Sequence, residues 1–231
     1  MRIAKYISNA GYCSRRDAEK LVLEKKVYVN SELCEKPNIN VNYNDKILVC
    51  GKIIKLDSNI KLWKFYKPPK VICTNKDPQK RKTIFDILPI NFPNVITVGR
   101  LDFMSEGLLL LTNNGDYARK LELPSSNILR IYKVCVKGDI KLNMIKKINN
   151  GVFINGIYYK KVSAKIDKFQ YPYTWIIFKL REGKNREIRN ICKFYKWNIV
   201  KLIRIQYGLI KLSKQKLGEI EEVKNIFSKL C

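Results

Sequence analysis

The chain has 231 residues, enough for one large domain or for a small domain joined to a larger one. Its 46 lysines and arginines stand against 20 aspartates and glutamates, a formal net charge of +26. Such a surface attracts polyanions in a salt-dependent way, with nucleic acid the first candidate partner and an anionic membrane the second. Histidine is absent, which excludes His-dependent triads, imidazole general bases and most mononuclear zinc sites.

Taken in chain order, Ile3, Ala4, Ile7 and Ala10 have helical spacing, and Gly11 stops that helix. Ser14 is placed to cap a second helix over 15–24, with Ala18, Leu21 and Val22 on its apolar side. Short strands are predicted at Val27–Val29, Ile47–Val49 and 53–55. Residues 1–56 thus read as a small module, 57–60 as a linker, and 61–231 as a second domain. In that domain the pattern predicts strands at 62–66, 95–98, 108–112, 131–136, 162–169, 174–179 and 199–205, and helices at 114–121, 140–149, 185–195 and 218–230. Several strands follow one another with no helix between them, which predicts a mostly antiparallel sheet and an α+β fold. Seven scattered cysteines with no Cys-x-x-Cys pair predict reduced thiols in a cytosol-like compartment. No apolar run approaches the roughly 20 residues that span a bilayer.

The stretch VGRLDFMSEGLLLLTNNGD, residues 98–116, is the first candidate for chemistry. Asp102 lies in a loop at the end of one apolar strand and before another, a common way to present an active-site carboxylate. An aspartate that merely caps a turn has the same spacing, so both readings stand on the residues alone. Asp102 and Glu106 also form a carboxylate pair, but no third carboxylate or histidine follows at metal-ligand spacing. Tyr132 on a strand is by itself a core residue. Arg186 and Arg189 on a helix face are by themselves solvated charges.

Gly99-Arg100-Leu101-Asp102, with Gly107, Leu108 to Leu111 and Thr112, resembles the catalytic signature of the ribosomal RNA pseudouridine synthases. Ser105 stands where that signature has threonine. NILRIYKVCV resembles the family's Lys-x-Tyr-x-Val strand, with Arg130 in place of lysine. REGKNREIRNIC resembles Glu-Gly-Arg-Asn-Arg-Glu-Ile-Arg-Arg, with Lys184 and Asn190 in place of arginines. The N-terminal Ser-Arg-Arg turn between two helices, with the strand that follows, resembles the S4 RNA-binding module. Tyr66-Lys67-Pro68, Cys73-Thr74 to Pro78, Phe85-Asp86-Ile87-Leu88-Pro89 and Arg204 to Gly208 are closest to the large-subunit branch of the family. Lys70 and Lys196 occupy positions where the family has glycine, and at Lys196 a different helix end and a strained turn are expected.

The resemblance implies an isomerase that converts one uridine of large-subunit ribosomal RNA to pseudouridine. It breaks the C1′–N1 bond, turns the base and joins C1′ to C5. No cofactor and no metal are implied. Asp102 is implied as the catalytic carboxylate, Arg189 as its partner with Arg186 as second choice, and Tyr132 as the surface on which the flipped base stacks. RNA contacts are implied for Arg2, Lys5, Arg15, Arg16 and Lys20 in the S4-like module, and for Arg100, Lys184, Arg186 and Arg204 in the catalytic domain. The expected partner is ribosomal RNA rather than membrane, the expected state a monomer and the expected location the cytoplasm. Two other classes stay in view: a ribosome-associated RNA-binding protein of S4 type without catalysis, and a metal-dependent nuclease.

Overall fold

The computed structural model describes residues 1–57 and 59–224. The chain forms two compact units. Among the described residues one is built from 1–61, 91–96 and 112–117, and the other from 62–90, 97–111 and 118–224.

The first unit opens with helices α1 (Ile3–Asn9) and α2 (Arg15–Leu23). Ser14 caps α2 as its spacing predicts, its Oγ accepting from the Asp17 backbone N–H at 3.2 Å. Strands β1 (Val27–Val29), β2 (Glu32–Leu33), β3 (Ile47–Val49) and β4 (Lys52–Ile54) form an antiparallel sheet in the order β2-β1-β3-β4. Ile3 and Ile7 from α1, Ala18 and Val22 from α2, and Val27, Ile47 and Val49 from the strands make one core. Each buried branched side chain there contributes about 1.5–3 kcal/mol. With the apolar positions spent inward, Arg15, Arg16 and Lys20 stand exposed on the helix pair.

The second unit is organised on a large mixed sheet. Its strands are β5 (Leu62–Lys67), β6 (Ile96–Val98), β7 (Glu106–Thr112), β8 (Arg130–Lys137), β11 (Ser163–Gln170), β12 (Tyr173–Leu180), β13 (Asn198–Tyr207), β14 (Ile210–Lys211) and β15 (Ile220–Glu222), Ile96 and Thr112 being the end residues that fall in the first unit. Helices α3 (Gly115–Glu122), α4 (Leu142–Asn150) and α5 (Glu187–Phe194) intervene, and β9 (Val152–Ile154) pairs with β10 (Ile157–Tyr159) in a separate hairpin. The main path runs β11-β12-β8-β13-β7-β5-β15, with β14 paired to β13 and β6 to β7. Pairing is antiparallel from β11 to β13, whereas β13 and β7 run parallel. The α+β expectation therefore holds.

Register divides β8, β12 and β13 into two faces. Tyr132 lies opposite Phe178 and Arg204, and Val134 opposite Ile176 and Leu202. Residues directly opposite share a face, and this face packs with Ile145 and Ile148 of α4 and Ile188 and Ile191 of α5 in one core.

The expected helix at 218–230 is corrected. Gly218 turns at φ +82 and residues 220–222 form β15, which pairs antiparallel with β5 from Ile220↔Phe65 to Glu222↔Trp63. The open edge of β5 supplies ladder hydrogen bonds that outweigh the local helical period. Residues 225–230 of that expectation lie outside the described residues, as does Ser58 of the expected linker. The helix expected over 185–195 begins only at Glu187, because Arg186 at φ 51 sits in the left-handed region. Lys196 does not move the helix end: at φ 59 it takes the left-handed conformation that glycine would take, and Lys70 does the same at φ 61.

Candidate active site

Strand β7 and the loop before it position Asp102. Gly107 at φ +104 lies so close to β13 that an added Cβ would fall 2.4 Å from the Arg204 carbonyl oxygen. Only glycine permits this approach of two backbones. It seats the loop 99–105 beside β13, and the Ser105 N–H closes the loop on the Asp102 carbonyl at 2.9 Å.

The Arg189 Nε donates to Asp102 Oδ2 at 2.9 Å, and its Nη2 donates to Ser105 Oγ at 2.7 Å. One planar guanidinium thus holds both the carboxylate and the residue that ends its loop. Arg186 is farther out, with Nη1 3.7 Å from the same oxygen and its side chain 55% exposed. Beneath the loop, Lys67 is fully buried and donates to the Ser105 carbonyl at 2.8 Å and the Pro68 carbonyl at 2.9 Å. Burial pushes the Lys67 ammonium down to about 8, against the upward pull of Cys73, Asp102 and Glu106. The Lys70 N–H donates to the Phe103 carbonyl at 2.7 Å, so the β5 exit loop also fastens the carboxylate loop.

Asp102, Arg100, Tyr132, Arg186, Arg189, Lys184 and Arg204 all border one pocket of about 280 Å³, whose apolar wall includes Leu180 and Leu202. Tyr132 is half-buried in that wall, and Arg100 is exposed. Lys184 donates to the Tyr158 carbonyl at 2.6 Å. Arg204 is 2% exposed and donates from Nε to the Leu108 carbonyl at 2.6 Å, so it belongs to the pocket wall and not to the outer surface. In the other unit Arg2, Arg15, Arg16 and Lys20 are exposed, while Lys5 is paired with Asp116 at 2.6 Å. Asn190, which stands where the resembled motif has arginine, turns toward the protein and donates to the Tyr159 hydroxyl at 2.9 Å.

Three side chains of this region escaped the sequence reading. Lys67 is visible there only as part of a Tyr-Lys-Pro motif, and its burial comes from the sheet. Arg130 is buried, donating to the Arg181 carbonyl at 3.0 Å and the Tyr207 hydroxyl at 3.1 Å. Glu187 is 5% exposed in the pocket wall, with Oε2 unpartnered among the described residues, and burial raises its carboxyl to about 7. The signal for Glu187 was its place between an arginine and an isoleucine at a helix start, where a carboxylate usually serves the dipole from the solvent side.

The geometry agrees with what the chain is similar to. The RNA pseudouridylate synthase family model matches residues 61–194, and the S4 domain model matches residues 1–47. The chain is 46% identical over 224 residues to an uncharacterized RNA pseudouridine synthase of Rickettsia felis, covering 97% of each. It is 38% identical over 239 residues to the ribosomal large subunit pseudouridine synthase B of Buchnera aphidicola from Schizaphis graminum, covering 99% of this chain and 92% of that one. A crystal structure of a pseudouridylate synthase superposes over the whole of both chains with a TM-score of 0.71 at 20% identity, a likeness of fold. The chain belongs to the RNA pseudouridine synthase family and is an enzyme of that class, with an S4 domain at its N-terminus.

Proposed function

We propose that this enzyme converts one uridine of large-subunit ribosomal RNA to pseudouridine, with Asp102 as the catalytic carboxylate. The observation that carries the reading is the Asp102–Arg189 pair at 2.9 Å, set in a pocket whose wall also holds Tyr132. The target base leaves its helix and stacks on Tyr132. Asp102 acts as a nucleophile whose bond to the substrate breaks again before release, or as the base that takes a sugar proton and returns it once C1′ has joined C5. The C1′–N1 bond breaks, the uracil turns, C1′ joins C5, the C5 proton goes to water and N1 gains one. Atoms and charge balance, with no redox partner.

Arg189 orients the carboxylate. Arg100, Arg186 and Lys184 at the pocket rim meet the RNA backbone around the flipped nucleotide, and Arg204 braces the wall. Residues 1–56 dock a second part of the RNA through Arg2, Lys5, Arg15, Arg16 and Lys20, while residues 61–231 form the catalytic domain. The large-subunit target is supported by the name of the Buchnera relative. A monomer and a cytoplasmic location complete the proposal.

The test uses large- and small-subunit ribosomal RNA transcribed with tritium at C5 of uridine. Release of tritium to water from the large-subunit RNA alone is the expected result. Release from the small-subunit RNA alone overturns the target.

A further inference from the structure

The face of the sheet that turns away from α4 and α5 is cationic. Register places Lys133 and Lys137 of β8, Lys165 and Lys168 of β11, Lys179 of β12 and Lys201 of β13 on it, because each lies opposite, or two residues from, a member of the row Lys137–Tyr173, Cys135–Trp175, Lys133–Ile177. Of these residues only Cys135 is buried. Trp175 stands half-buried near the centre, with Lys133 Nζ 5.3 Å from its ring centroid, and Tyr173 is 40% exposed beside it. The acidic residue Asp167 sits at a register shift between Ile166 and Lys168 and pairs with Lys133 at 2.8 Å. Among the described residues the other five lysines make no ion pair.

A sheet face that is merely solvated mixes its signs, since a single-sign field costs self-repulsion. Here the signs are not mixed apart from Asp167, and the ring most open to solvent among the lysines is that of Tyr173. Lysines around an accessible aromatic ring are what a nucleic acid strand requires: phosphates meet ammonium groups and a base stacks on the ring. Neighbouring strands lie about 4.8 Å apart, so the four strands offer a face about 14 Å across. Tyr132, Phe178 and Arg204, which border or underlie the pocket, are on the other face.

We propose that this outer face of β11-β12-β8-β13 is a second RNA-docking surface, which holds a segment of the substrate RNA distant from the uridine in the pocket. The inference rests on the reading of RNA as substrate. It adds a surface separate from the pocket and from the N-terminal module.

The test compares two triple variants of the full chain with the same change in net charge. One is Lys165→Glu, Lys168→Glu and Lys179→Glu on the outer face. The other is Lys141→Glu, Lys146→Glu and Lys147→Glu at and along α4, where all three lysines are exposed. Binding to a long ribosomal RNA fragment is followed over a salt series, and tritium release is followed on a short stem-loop at saturation. The outer-face variant is expected to lose tenfold or more in affinity for the long RNA, with a salt slope shallower by about 2–3, and to keep its turnover on the stem-loop. Trp175→Ala weakens the same binding without changing the salt slope. Equal losses in both triple variants, or unchanged binding in the outer-face variant, overturn the proposal; unchanged binding leaves an acidic protein surface as the partner of that face. Because binding is read without catalysis, absence of tritium release from the unaltered enzyme counts against the proposed reaction and leaves this comparison intact.

Discussion

Arg189 reaches Asp102 across 87 residues of chain, its Nε donating to Oδ2 at 2.9 Å, while its Nη2 holds Ser105 Oγ at 2.7 Å. A single guanidinium therefore sets both the direction of the carboxylate and the closure of its loop. Arg189→Lys keeps the charge but loses the two-pronged geometry. It is expected to lower kcat roughly tenfold or more, and Arg189→Met about 10²-fold or more, since misplacement of a reacting group by about 1 Å costs that much. Ser105→Ala loses one anchor, a hydrogen bond to a charged group, and lowers kcat about tenfold. Ser105→Thr restores the hydroxyl and the rate. Steady-state tritium release with kcat and KM resolved reads all four, and unchanged kcat in Ser105→Ala removes Ser105 from the account.

Gly107 is a packing necessity. Its added Cβ would meet the Arg204 carbonyl at 2.4 Å and the Arg204 nitrogen at 2.7 Å, both backbone atoms that cannot turn aside. The positive φ adds strain of its own. Gly107→Ala is expected to lower stability by about 3 kcal/mol, read as a fall in the urea midpoint. A midpoint equal to that of the parent protein would contradict the close approach of β7 and β13.

Lys196 holds φ 59 at the end of α5, with its N–H bonded to the Lys193 carbonyl at 3.0 Å and the Trp197 N–H to the Cys192 carbonyl at 2.8 Å. The conformation is a glycine one carried by an exposed lysine. Lys196→Gly is expected to raise stability by about 0.5–1 kcal/mol, a few degrees in Tm. Lys196→Ala, which keeps a Cβ, leaves Tm unchanged.

Glu187 makes the protein more stable in acid over one window. Burial raises its folded carboxyl to about 7, Lys184 pulling down and Glu182 pushing up by smaller amounts. The unfolded carboxyl titrates near 4.5. Between these values the folded chain binds a proton that the unfolded chain does not, so stability falls as pH rises from about 4.5 to 7 and stays lower above. Glu187→Gln removes this effect. Its Tm is expected to exceed that of the parent protein at pH 8, by an amount corresponding to up to about 3 kcal/mol, and to match it at pH 4.5. A difference independent of pH would rule out titration of Glu187 as its cause.

The helix pair at the N-terminus is legible because its apolar spacing and the Ser14 cap are local signals, and most strands of the second unit are legible because their apolar runs are short and bounded. The ends of the elements depend on partners remote in sequence. Residues 220–222 carry a helical pattern but lie against the free edge of β5, whereas the β9–β10 hairpin, absent from the expected strands, does carry a local signal in the Asn155-Gly156 turn between Val152-Phe153-Ile154 and Ile157-Tyr158-Tyr159. At the site, Asp102, Tyr132 and Arg189 stand in recognisable motifs. Lys67, Arg130 and Glu187 lie within motifs too, but the motifs do not reveal their part, because it rests on burial, and burial of a charged side chain is decided by the sheet that closes around it. The glycine positions held by Lys70 and Lys196 show the backbone demand persisting when the residue changes.

The central claim, that Asp102 performs the chemistry, is tested most directly by single-turnover tritium release from large-subunit ribosomal RNA with the parent protein and Asp102→Asn. Asparagine keeps the shape and a hydrogen-bond acceptor for Arg189 while removing the negative charge. RNA binding is expected to stay close to that of the parent protein, with release abolished. Release at the parent rate by Asp102→Asn would contradict it.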